Sequence, residues 1–294
     1  MYGMLMWEGR KKDYWSWYCS QFLPGRLPGA YCLFHAFHHE LINPEAQVRV
    51  VRMLSSLLDA SDKTGKNPSS DPMGNEPNKA KEMRIQWWKD QMSSSYVVGQ
   101  QIREGKQPDA YQVPAHPVTQ GFFGLMSQVS LSKVHISALF RAHGDSALPV
   151  TIADLEKYGN DTIGSILGLS TDCFAALYPK ELSEQRRLDI DHAISHYAKA
   201  FSLFQLLRGT PSQLSRRVCY LPLQLLSQQK LSSESLYRSD TKPEGLSEVI
   251  YEVASTAFLH LEHVSHSLLI SLSMESKRSR LWRQRSCTGL WYPK

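Results

Sequence analysis

The sequence predicts an all-α protein, a bundle built from long helices. Three observations carry that expectation. Apolar side chains recur every three or four residues through several long stretches, the period of one helical face. Proline, glycine and small capping residues punctuate those stretches where helices start and stop. Nowhere does a sustained alternation of apolar and polar residues offer the period of two that a strand requires.

The first stretch, Arg26–Ile42, sets Tyr31, Phe34, His38 and Leu41 at helical spacing, with Pro28 near its start and Asn43-Pro44 at its end. Pro44 suits the first turn of a second helix, running to about Leu58. Residues 61–80 (SDKTGKNPSSDPMGNEPNKA) hold too little apolar surface to offset the entropy of ordering, which predicts a disordered insert. A helix resumes near Lys81 and carries Met83-Arg84-Ile85-Gln86-Trp87-Trp88; Gln107–Pro117 is expected as a loop before a helix from about Val118.

Thr151-x-x-Asp154 has the form of a capping box, with Asp in place of Glu, ahead of a helix over Leu155–Leu167. Ser183 is expected to cap the longest helix, Glu184–Arg208. Its stripe of Ile190, Ile194, Tyr197, Phe201 and Phe204 predicts the core-facing side, and Gly209 and Pro211 are expected to end it. A last helix, roughly Leu246–Ile270, aligns Ile250, Val253, Ala257, Leu261, Val264 and Leu268.

Composition narrows the function classes. With 294 residues and 42% apolar content the chain can bury a core, so global disorder is excluded. No run approaches the roughly 20 apolar residues of a membrane-spanning helix. Five scattered cysteines (Cys19, Cys32, Cys173, Cys219, Cys287) without a CxxC argue against a disulfide scaffold or zinc ribbon and favour a reducing compartment. The net charge of +5 is concentrated in Lys277, Arg278, Arg280, Arg283, Arg285 and Lys294. Removing these six from the 33 basic residues leaves 27 against 28 acidic ones, a neutral body with no call for a nucleic-acid partner. The apolar run at Met1–Trp7 precedes Arg10, Lys11 and Lys12, the reverse of a secretory signal.

Candidate metal ligands are present but incomplete. His35, His38 and His39 share one helix, His192 and His196 lie at i,i+4, and His260, His263 and His266 follow at i,i+3. An i,i+4 pair can ligate a metal from one helical face. HExxH and the paired Glu-x-x-His elements of di-iron bundles are both missing, so solvated or hydrogen-bonded histidines are expected and no metal site. Glu244, Glu248 and Glu252 share a face, but at a helix start the dipole already accounts for acidic residues. No GxSxG, P-loop or dinucleotide fingerprint occurs.

One segment is specific. Tyr197–Pro222, YAKAFSLFQLLRGTPSQLSRRVCYLP, resembles the signature of squalene and phytoene synthases, in which an N-I-L-R-D-x-x-x-D pattern precedes a basic stretch and Tyr-Leu-Pro. Counted back from Tyr220-Leu221-Pro222, Arg208 matches the arginine of that pattern, and Arg216 and Arg217 fall in the basic stretch. Leu33–Asn43 (LFHAFHHELIN), Arg84–Asp90 (RIQWWKD) and Tyr158–Leu167 (YGNDTIGSIL) agree in order, so the resemblance runs from about Asp13 to Ile270. It implies an isoprenoid-synthase-like helical bundle around a central cavity, flanked by residues 1–12 as the tail of a shortened targeting segment and 271–294 as a divergent basic tail. The closing helices of the family are not recognisable there.

In that family, aspartates at i and i+4 on two facing helices hold Mg²⁺ ions that draw off diphosphate. By the resemblance, the second motif's aspartate positions fall on Gly209 and Gln213, and those of the first on His38, His39 and Ile42. No two aspartates in the chain stand four residues apart. Imidazole and amide groups do not suit Mg²⁺, so neither metal nor cofactor is expected, and diphosphate ionisation should fail.

Further pieces resemble the branch of this family that serves as assembly factors of mitochondrial respiratory complex I: Ala36-Phe37-x-x-Glu40-Leu41, Arg84-x-Gln86-x-Trp88-Lys89, Asp191-His192-Ala193-x-Ser195-His196, Leu207-Arg208-x-Thr210-Pro211 and Leu259-His260-Leu261-x-His263. That branch implies a pseudoenzyme working with complex I subunits or other assembly factors at the matrix side of the inner membrane. The alternatives are a divergent prenyl-diphosphate transferase, or a lipid- or isoprenoid-binding protein in which Arg208, Arg216 and Arg217 meet a phosphate without metal. The tail from Lys277 to Arg285, with Leu281 and Trp282, would suit an anionic membrane surface.

Overall fold

The computed structural model describes residues 14–42, 76–106, 116–144, 148–238 and 243–288. All regular structure among them is helical: α1 (Tyr14–Ser20), α2 (Leu27–Ile42), α3 (Glu76–Arg103), α4 (Pro117–Met126), α5 (Lys133–Gly144), α6 (Ile152–Gly159), a π-helical turn (Asn160–Gly164), α7 (Ser165–Leu177), α8 (Glu184–Ser215), α9 (Leu223–Gln228), α10 (Ser233–Arg238) and α11 (Leu246–Thr288). No described helix is long and apolar enough to cross a membrane. The chain forms two compact units.

The first unit holds the described residues up to 144 together with Ser165–Glu181. Phe37, at the centre of α2, meets Trp88, Phe122 and Phe140 edge-on at ring distances of 5.2, 5.1 and 5.8 Å. Leu33, Leu41, Met92, Met126, Leu139, Ile166 and Leu169 complete this buried cluster. At the α3–α4 crossing, a Cβ on Gly99 would stand 2.7 Å from the Met126 carbonyl oxygen, so only glycine permits the approach. Two arginines of α3 then satisfy carbonyls at the end of α2 and at and just beyond the end of α4. Arg84 donates from Nη2 to Leu41 at 2.6 Å, and Arg103 donates to Met126 and Val129.

The second unit holds Leu148–Gly164 and the described residues from Leu182 onward. Its core joins Leu155, Leu203 and Val253 to Cys219, Leu221, Leu226, Leu236 and Val249 through Leu207 and Leu225. The Thr151–Asp154 capping box forms in both directions, and the two Thr151 hydrogen bonds hold the Asp154 carboxyl below its ordinary range. Ser183 caps α8 by accepting from the Arg186 amide.

Several expectations need correction. Residues 76–80, assigned from composition to the insert, belong to α3; its remainder and the Pro44–Leu58 helix lie outside the described residues. The helix expected over Leu155–Leu167 is interrupted by the π turn at Asn160–Gly164. Pro211 does not end α8, which runs on to Ser215. Thr210 is buried and returns its hydroxyl to the Leu206 carbonyl at 2.8 Å, so packing carries the backbone past the proline.

The largest departure concerns the core face of α8. Ala198, Ala200, Leu203 and Thr210 are buried, whereas Tyr197 and Phe204 stay 39% and 58% exposed. Close approach decides this: a Cβ on Gly159 of α6 would stand 2.8 Å from the Ala198 carbonyl oxygen, leaving room for small residues alone.

Candidate functional site

The predicted metal-binding positions form two groups, one in each unit. On α2, His38 and His39 are half-buried and Ile42, the last residue of the helix, is exposed. The His38 ring packs 5.0 Å from that of His143 on α5. Burial, with Lys81 and Arg84 nearby, holds the His143 imidazole down to about 4, so it is neutral at ordinary pH. Glu40, the one carboxylate on this part of α2, acts electrostatically on Arg84, raising a guanidinium that burial lowers, and lies 4.0 Å from His116 Nε2.

In the second unit, Gly209 and Gln213 occupy the final turns of α8. Gln213 folds back so that its Nε2 would stand 3.1 Å from a Cβ placed on Gly209. The buried Oε1 atoms of Gln205 and Gln213 have no protein donor among the described residues. These oxygens are neutral, and the whole donor set at the five positions is imidazole, alkyl, bare backbone and amide. It does not fit Mg²⁺, which demands charged oxygen ligands. Among the described residues, no group of three or more His, Cys, Asp or Glu is arranged to hold a metal ion.

The three arginines occupy the end of the same helix. Arg208 is exposed on α8, Arg216 is the C-cap, and Arg217 follows with φ of 58°. The Arg217 amide donates to Leu214 at 2.9 Å and the Val218 amide to Gln213 at 3.0 Å, which is a Schellman closure. All three side chains are exposed, and Arg216 and Arg217 sit where the negative end of the helix dipole favours a cation.

Further towards the N-terminal end of α8, that helix and α11 flank an open groove of about 330 Å³ lined by Tyr197, Phe201, Phe204, Ala257, Phe258 and Leu261 among others. Tyr197 and Phe201 are stacked at 5.7 Å, and Phe258 is 59% exposed. Tyr197, Phe201, Phe204, Ala257 and Leu261, marked out by periodicity as core-facing, thus line an open apolar trough.

The structure also assembles residues that spacing alone does not connect. His196 Nδ1 lies 2.8 Å from His260 Nδ1, and His260 Nε2 lies 2.9 Å from Glu156 Oε1. The His196 ring stands 4.7 Å from those of His192 and His263. The sequence signals the i,i+4 pair on α8 and the His260 and His263 spacing on α11, but not that they meet, and not Glu156. Glu156 is 104 residues from His260 and is brought there by the α6–α8 packing.

The sequence matches the squalene/phytoene synthase family over residues 10–282. The chain belongs to the squalene/phytoene synthase family. Its fold is similar to that of a dehydrosqualene synthase solved in complex with ligand, with a TM-score of 0.60 and 15% identity, covering 91% of this chain and 76% of that one. At that identity the likeness establishes the isoprenoid-synthase-like, all-helical architecture. Among curated relatives, NADH dehydrogenase (ubiquinone) complex I, assembly factor 6, of Mus musculus is 26% identical over 257 residues, 86% of this chain and 62% of its own length. The Homo sapiens protein of that name gives the same figures. The Dictyostelium discoideum homolog is 29% identical over 187 residues, 63% of this chain and 47% of its own length. The chain therefore spans from about half to just over three fifths of these relatives. The family match also continues to residue 282, past Ile270 where the recognisable motifs stop.

Proposed function

We propose that this chain is a non-catalytic member of the squalene/phytoene synthase family that takes part in assembling mitochondrial respiratory complex I. The observation carrying the reading is a mismatch between frame and chemistry. The family's fold is present, yet the positions assigned to its magnesium ligands offer His38, His39, Ile42, Gly209 and Gln213. Relatives named complex I assembly factor 6, similar over 86% of the chain, supply the role that replaces catalysis. The chain would act with complex I subunits or other assembly factors at the matrix face of the inner membrane.

Two experiments test this. Cells lacking the assembly factor should regain complex I activity when they express the full-length protein containing this sequence; no recovery would count against the role. Incubation with farnesyl diphosphate and Mg²⁺ should yield no prenyl product. Measurable turnover would end the pseudoenzyme reading and restore the transferase alternative.

The apolar trough, whose lining ends at Leu207, one residue before Arg208, favours a compatible second reading. An apolar chain would lie along Phe201, Phe204 and Phe258, with its phosphate at the guanidinium groups. Mass spectrometry of the purified protein should then find a lipid or isoprenoid that is lost with Arg208→Ala. A clean spectrum would remove the idea.

A further inference from the structure

The hydrogen bonds joining α6, α8 and α11 set a limit on charge. His260 Nε2 donates to the Glu156 carboxylate, so that nitrogen carries a hydrogen. The 2.8 Å contact between His260 Nδ1 and His196 Nδ1 has room for one hydrogen, because one nitrogen must accept what the other donates. With both imidazoles neutral, His196 donates. If His260 gains a proton, the bond reverses and His196 accepts. The pair therefore tolerates one positive charge, neutralised by Glu156. A second proton places N–H against N–H and breaks the contact.

The surroundings add to the cost of that second proton. On α8, His192 and Lys199 face His196; on α11, His260 and His263 do so; from α6 the carboxylate of Glu156 meets His260, with Lys199 Nζ 3.9 Å from its other oxygen. Partial burial lowers the His196 imidazole below its ordinary value, with the neighbouring imidazoles and Lys199 acting in the same direction.

We propose that His196 and His260 form a proton-operated latch, holding α11 against α6 and α8 while they share one hydrogen and releasing it when both become charged. This inference is independent of the complex I reading, since it concerns only how this unit responds to pH.

Hydrogen–deuterium exchange, corrected for intrinsic rates, tests it on the full chain. Between about pH 7 and about pH 5, amide protection over residues 250–263 should fall about tenfold in the wild type. In His196→Gln the amide side chain can donate to or accept from His260 Nδ1 without titrating, so protection there should hold. An equal fall in both proteins, or none in the wild type, would overturn the latch. A second check needs no variant: imidazole nitrogen NMR of the wild type at neutral pH should show one protonated and one bare Nδ1 in the pair. Two protonated Nδ1 atoms would sink the proposal.

Discussion

Arg84 donates from Nη2 to the carbonyl oxygen of Leu41 at 2.6 Å, from a side chain only 1% exposed to solvent. A buried cation thereby closes the C-terminal end of α2, the helix that carries His38 and His39, with Glu40 as its nearby countercharge. Replacing it by alanine strips the Leu41 carbonyl of its donor and removes the guanidinium that acts on the Glu40 charge. Arg84→Ala should cost about 3 kcal/mol in urea unfolding. A loss well under about 1 kcal/mol would show that the contact is incidental.

Protonation of His143 sets a pH limit on the same unit. Its imidazole is held at about 4 when folded, against about 6.5 in an unfolded chain, so the unfolded state binds the proton first as pH falls. The stability it contributes is complete above about 6.5 and is lost progressively towards about 4, amounting to about 3 kcal/mol across the window. Unfolding midpoints measured through this range should fall steeply in the wild type. His143→Gln, which cannot titrate, should flatten the slope.

Much of the frame was legible in the sequence because local chemistry fixed it. The Thr151 box, the Ser183 cap, the start of α4 and the start of α11 all depend on residues within one helical turn. What sequence reasoning missed depends on partners far along the chain. Periodicity identified Tyr197, Phe201 and Phe204 as a stripe, but not which side of α8 would meet α6; Gly159 decides that from 38 residues before Tyr197. Pro211 looked terminal because local rules ignore the burial of Thr210. The arginines are marked by their place in a motif, whereas Glu156 and His143 have no motif to announce them.

Arg217 offers a substitution that should strengthen the protein. Its φ of 58° costs a residue bearing a Cβ about 1 kcal/mol that glycine does not pay. Arg217→Gly should raise unfolding stability by about that amount. Because it also removes one guanidinium, any bound phosphate ligand should weaken in the same variant, separating the local backbone effect from the binding effect.

Gly159 should tolerate nothing larger. An alanine Cβ would meet the Ser202 hydroxyl at 2.7 Å and the Ala198 carbonyl at 2.8 Å, and the second contact is to backbone. Gly159→Ala is expected to destabilise by about 1–3 kcal/mol, measured by thermal or urea unfolding. Ser202→Ala in the same background should recover little of the loss, because the carbonyl clash remains.

A helix that seats alanine inward and phenylalanine outward reverses the ordinary match between bulk and concealment. Tools that improve solubility by hunting greasy exteriors would pick Phe204 and Phe258 along with Phe22. An edit made on that rule would erase the trough between α8 and α11 while leaving the buried face of α8 untouched.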